Sequence, residues 1–217
     1  MNRLNLIKYK ITNFLIKIIC QGSTGIFSVG NDARNNYLKY HNSVFNLPYS
    51  INIHKFNKKK AFFKNDKVNF LFVGQLIKRK GIDLILKSFS MLSFKEKKKI
   101  NLTIIGDGPY KEKIKKLTKK NKYLSYQNFL NRQKLVPIYG KNDVFIFPST
   151  FDGWGVAPLE AMASSMSLIL SKNVGMNEIL KMRDGNEFVK CSPYQLLHSI
   201  KKLIKNRKKI VINGKKK

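Results

Sequence analysis

From residue 68 onward the sequence predicts a doubly wound α/β domain, a parallel sheet covered by helices on both faces. Three observations predict it. Apolar runs of strand length alternate with segments of helical period. The runs are apolar at consecutive positions, as strands buried on both faces require. Glycine or proline punctuates the chain just after several of them.

The predicted strands are 69–73, 101–105, 123–126, 144–147, 168–170 and 187–189. The helices between and after them are 81–92, 110–120, 132–139, 158–163, 177–181 and 193–205. Ligands of such sheets bind outside the carboxyl ends of the strands, so functional residues are expected in the loops that follow them.

Ahead of this domain, Leu4, Ile7, Ile11, Phe14, Leu15, Ile18 and Ile19 recur at helical spacing, predicting an amphipathic helix over residues 1–20. Its other face is Lys and Asn, and Lys8, Lys10 and Lys17 interrupt any continuous apolar run, which disfavours a secretory or membrane-spanning segment. Residues 25–30 read as a short buried strand, and 31–40 as a helix capped by Asn31 or Asp32. Over 41–67 no period is sustained, Pro48 breaks the pattern, and Lys58, Lys59 and Lys60 read as an exposed linker. The expected division is therefore 1–45, a linker 46–67, the α/β domain 68–205 and a basic tail 206–217.

Charge bounds the partners. The 217 residues carry 43 Lys+Arg against 12 Asp+Glu, a net +31 that suits an anionic membrane surface or nucleic acid. The excess is nearly all lysine and accompanies abundant Asn, Ile, Phe and Tyr, so compositional drift with some membrane attraction is favoured over nucleic-acid binding. Cys20 and Cys191 match no metal or redox spacing, and His41, His54 and His198 no ligand spacing. Neither a metal site nor a cofactor is expected.

Three loops carry the chemistry. After the first strand, Gly74 lets a ligand approach the backbone and Gln75 follows it, while Lys78, Arg79 and Lys80 can meet phosphate charge ahead of the next helix. After the second, Gly106-Asp107-Gly108-Pro109 is a glycine turn with Pro109 placed to open a helix; it is not a dinucleotide fingerprint. After the fourth, Asp152-Gly153-Trp154-Gly155 bares backbone N–H groups, Pro158 is expected to start a helix, and Glu160 to fall in its first turn. Plain structure accounts for part of this: Glu160 could cap the helix, and Trp154 could fill core. It leaves unexplained the combination of a loop carboxylate, two glycines and a second carboxylate eight residues on.

These segments, 70–84, 102–109 and 147–163 with Gly175 and Glu178, resemble the C-terminal, donor-binding domain of the retaining GT-B glycosyltransferases, a family that includes bacterial lipopolysaccharide and capsule sugar transferases. The resemblance implies a Rossmann-like half of a GT-B fold, with 25–40 similar to the end of the family's first domain and most of that domain missing. It implies that Lys80 holds a donor diphosphate, that Asp152 contacts hydroxyls of the transferred sugar, and that Glu160 contacts the ribose. Gly74, Gln75, Arg79, Gly106, Asp107, Gly153, Trp154 and Gly155 would complete the nucleotide-sugar site. It further implies front-side displacement, in which the leaving phosphate assists the acceptor. Differences from the family pattern are Gln75 for Arg, Asp152 for Glu, Ser165 and Ser167 for Gly and Pro, and Glu187 for Gly.

The expected function is sugar transfer from a nucleotide-sugar donor to a glycan or lipid-linked acceptor in surface polysaccharide assembly. A separate chain would carry the acceptor domain, and the location would be cytoplasmic or peripheral on the inner face of the plasma membrane. Two alternatives stay open: a silent fragment that binds a nucleotide sugar or a partner protein, and a basic nucleic-acid-binding protein.

Overall fold

A computed structural model describes residues 3–56, 67–180 and 186–206, which divide between two compact units, 1–50 and 51–217. Residues 58–60, the tail from 207 and the end of the helix expected at 177–181 lie outside the described residues.

The first unit runs α1 (Arg3–Gln21), β1 (Ile26–Ser28), α2 (Asn31–Tyr37) and β2 (Val44–Asn46). β1 and β2 pair in parallel, Ile26 opposite Val44, so α2 is the crossover of a small βαβ unit. β2 lies where the sequence shows no period, because three residues are too few to display one. α1 bears no acidic residue in its first turn, and Ile7, Ile11, Phe14, Leu15, Ile18 and Ile19 are exposed. Among the described residues no helix is long and apolar enough to cross a membrane.

In the second unit β3 (Val68–Val73), β4 (Ile100–Ile105), β5 (Leu124–Gln127), β6 (Val144–Phe147), β7 (Ser167–Ser171) and β8 (Glu187–Val189) form one parallel sheet, ordered β5-β4-β3-β6-β7-β8. The helices are α3 (Ile82–Ser90), α4 (Phe94–Lys97), α5 (Lys111–Lys120), α6 (Arg132–Tyr139), α7 (Val156–Ala163) and α8 (Pro193–Lys205). Phe70, Leu71 and Phe72 of β3, Val144 to Phe147 of β6 and Leu168 to Leu170 of β7 are all buried. Consecutive buried residues point to opposite faces, so both faces of the sheet are covered, as the apolar runs require.

The chain leaves β3 toward β4 and β5, then α6 carries it back to β6 on the other side of β3. With right-handed crossovers, the connections on the two sides of β3 lie on opposite faces, which opens a crevice at the carboxyl ends of β3 and β6. At the opposite, amino-terminal end of these strands buried Asp143 fixes the start of β6: its Oδ2 accepts from the Asn69 backbone N–H at 2.9 Å and the Asn69 side-chain amide at 3.0 Å.

Three helix starts differ from expectation. α5 begins at Lys111, two residues beyond Pro109, after Tyr110 N–H has bonded back to Leu76 O at 3.2 Å. The segment near 177 is a 3-10 turn, Gly175–Glu178. α7 begins at Val156 rather than Pro158, with Gly155 as its N-cap at φ 94, a left-handed conformation that glycine adopts without a Cβ clash. Pro158 therefore occupies the third helical position, where an N–H has no partner within the helix. α4, which the periodicity did not show, is a single turn held by a capping box between Ser93 and Glu96.

Candidate active site

The loops after β3 and β6 are joined across the switch point. The Arg79 carbonyl accepts from Thr150 N–H at 2.8 Å and Ser149 Oγ at 2.9 Å, and the Arg79 guanidinium donates to Phe151 O at 2.8 Å. One residue on, Lys80 Nζ lies over the Phe147 ring, 5.2 Å from its centroid, and forms an ion pair with Asp152 Oδ2. The Lys80 and Asp152 side chains are only 15% and 14% exposed, so water screens this pair far less than a surface one.

Asp152 is fixed from its backbone as well. Its N–H donates to Asn173 O at 3.2 Å and its carbonyl accepts from Gly175 N–H at 2.9 Å, while its Oδ1 accepts from Trp154 N–H at 3.3 Å. Gly153 between them is exposed, and a side chain there would meet nothing within 4 Å. The space above this peptide is therefore open to a ligand.

Glu160 does not cap a helix. With α7 starting at Val156, Glu160 is its fifth residue, and it is buried. Its Oε1 accepts from Arg132 Nε at 2.8 Å and its Oε2 from the Tyr139 hydroxyl at 3.1 Å. Arg132 lies over the Phe56 ring at 5.3 Å, and Phe56 meets Tyr139 edge-on. Burial first, and then the Glu160 charge, raise the Tyr139 phenol well above its usual range, so it stays protonated and keeps donating.

The remaining expected site residues divide. Gln75 is exposed beside Gly74 at the end of β3. Gly106 is buried so tightly on the Gly74 carbonyl that a Cβ would collide with it; its lack of a side chain serves packing between the two loops. Asp107 is turned to its own loop, accepting from Gly108 N–H at 2.7 Å and Lys111 Nζ at 3.0 Å. The Trp154 side chain is 3% exposed and fills core, so only its backbone belongs to the loop surface. Arg79 is committed through its guanidinium to Phe151 rather than left free beside Lys80.

Sequence reasoning did not find Arg132, Tyr139 and Phe56 around Glu160. A signal existed for two of them: seven residues on a helix is nearly two full turns, so Arg132 and Tyr139 share a face of α6. Among the described residues no group of three or more His, Cys, Asp or Glu stands where it could hold a metal ion.

Residues 54–217 match the model of the glycosyl transferases group 1. The chain belongs to that family. It is 28% identical over 216 residues to an uncharacterised glycosyltransferase of Methanocaldococcus jannaschii, covering 96% of this chain and 56% of the relative. The chain thus spans about half the length of that curated relative. Among solved structures it is similar to WaaG, a glycosyltransferase involved in lipopolysaccharide biosynthesis, with a TM-score of 0.75 at 16% identity over 89% of this chain and 57% of WaaG. It is also similar to Anabaena HepE in complex with UDP and glucose, with a TM-score of 0.73 at 12% identity over 89% of this chain and 56% of HepE. The group 1 domain here has the GT-B half-fold that the resemblance implied, with a parallel sheet whose strands alternate with helices along the chain.

Proposed function

We propose that this group 1 domain holds a nucleotide-sugar donor at the carboxyl ends of β3 and β6 and serves sugar transfer, with retention, to a glycan or lipid-linked acceptor of surface polysaccharide assembly. The observation that carries this reading is the Lys80–Asp152 pair spanning the switch point of the sheet, where doubly wound folds take ligands. A cation suited to phosphate and a carboxylate suited to sugar hydroxyls stand together there, beside an open glycine peptide.

On this reading Lys80 meets the donor diphosphate, Asp152 accepts from hydroxyls of the transferred sugar, and Glu160 accepts from the ribose. In front-side displacement the bond from the sugar's anomeric carbon to the diphosphate breaks, and its electron pair leaves on the phosphate oxygen. The acceptor oxygen bonds to that carbon on the same face, and its proton passes to the departing phosphate. Lys80 then stabilises charge that grows as the diphosphate leaves. The UDP and glucose bound to HepE and the lipopolysaccharide role of WaaG support the substrate classes.

Calorimetry with UDP, ADP and GDP tests the proposal. At least one should bind in the micromolar to millimolar range, and Lys80→Ala should weaken it. No binding of any nucleoside diphosphate at millimolar concentration would overturn the proposal and the silent-fragment alternative that shares its ligand.

A further inference from the structure

We infer that Arg132 and Tyr139 are positioning residues that set how well Glu160 recognises the ribose of the donor. This rests on the donor-binding reading above. A glutamate at this depth is costly unless its charge is paired and its oxygens are bonded. Here α6 supplies both needs at once, Arg132 on Oε1 at 2.8 Å and Tyr139 on Oε2 at 3.1 Å.

The two donors do different things. Tyr139 is fully buried and neutral, so its hydroxyl fixes the orientation of the carboxylate without supplying charge. Arg132 supplies the charge. Glu160 lies in α7, the helix whose N-terminal loop carries Asp152, so an uncompensated Glu160 would add a second negative charge to a site that must accept a diphosphate. Arg132 offsets it, and Phe56 stacks on the guanidinium to hold it in place.

Each carboxylate oxygen has two acceptor positions, and α6 occupies one on each. The positions left over are fixed in direction, which is the condition for reading a hydroxyl by its presence or absence. A site built to bond a hydroxyl rejects an analogue lacking it, because its buried acceptor is left unpaired.

The test compares UDP, ADP and GDP with their 2′-deoxy and 3′-deoxy forms by calorimetry, on the wild type, Tyr139→Phe and Arg132→Gln. The wild type should bind its preferred diphosphate about tenfold or more tighter than at least one deoxy form, as expected for a hydrogen bond to a charged acceptor. Each variant should reduce that ratio to about threefold or less while remaining folded by thermal denaturation. A merely structural role would lower affinity for the ribose and deoxy forms alike and leave the ratio unchanged, which would overturn the inference alone. A wild type that binds without discriminating would overturn it too. Binding of no diphosphate would overturn the donor-site reading and the inference together. Arg132→Gln, on an exposed side chain, keeps the test decisive if Tyr139→Phe fails to fold.

Discussion

Lys80 and Asp152, 72 residues apart, neutralise each other across the switch point of the sheet. The two groups proposed to meet different parts of the donor are therefore engaged with each other. A diphosphate reaching Lys80 must compete with Asp152, whose release frees it for the sugar hydroxyls. Lys80→Ala should weaken the preferred nucleoside diphosphate by about 1.5–3 kcal/mol, the range for a hydrogen bond to a charged group. Asp152→Asn should have the opposite effect on the free diphosphate, tightening it severalfold by removing the competitor, while turnover of the nucleotide sugar falls. Equal losses of diphosphate affinity in both variants would refute the competition.

The Tyr139 phenol predicts a pH dependence. Its ordinary value is 10.0, and burial, then the charge and hydrogen bond of Glu160, raise it well above that, with Arg132 opposing. Below pH 10 the phenol is neutral in the folded and unfolded chain alike, and its contribution is intact. Above it the unfolded chain releases the proton and the folded chain does not, so stability falls as pH rises from about 10 toward the folded value. Urea unfolding from pH 8 to 11 should show a steeper decline for the wild type than for Tyr139→Phe. Parallel slopes would mean that Tyr139 does not remain protonated in the fold.

How much of this was legible in the sequence depended on length and separation. β3 and β6 were legible because four consecutive apolar residues can only be buried strand or buried helix, and Gly74 and Pro148 follow them directly. β2 was not, with three residues and one of them buried. Lys80, Asp152 and Gly153 stood out in the sequence as a cation, a carboxylate and a glycine in the loops that follow strands, and the structure pairs Lys80 with Asp152 beside the open Gly153 peptide. The place of Glu160 in its helix was misread by two residues. Counting α7 from Pro158 puts Glu160 in the first turn, whereas counting from Val156 turns it inward to Arg132 and Tyr139, a partnership set by tertiary packing alone.

The basic, apolar α1 predicts a response to lipid surfaces. With its lysines and exposed Ile11, Phe14 and Ile18, the chain should sediment with vesicles containing anionic lipid and far less with neutral ones. Raising salt should release it, because the Debye length shortens from about 10 Å at 0.1 M to about 3 Å at 1 M. Salt-resistant binding to neutral vesicles would assign the attachment to apolar insertion, and no binding to either would remove the membrane from the account.

Ser165 carries the last prediction. It follows α7 directly, with Ser164 as C-cap, and has φ 60, the positive-φ non-glycine residue among the described ones. A helix commonly ends with a left-handed residue at this position, usually glycine, and glycine is what the family pattern has where this chain has Ser165. A Cβ in the left-handed region costs roughly 1–2 kcal/mol. Replacing Ser165 by glycine relieves that strain but frees the unfolded chain, an entropic loss of about 0.5–1 kcal/mol. The difference favours the glycine, so Ser165→Gly should stabilise the domain by about 0.5–1 kcal/mol. Ser165→Val, with a branched Cβ, should destabilise it. Urea midpoints of the two variants against the wild type decide the matter, and a less stable Ser165→Gly would show that the serine side chain holds the turn by contacts that outweigh its strain.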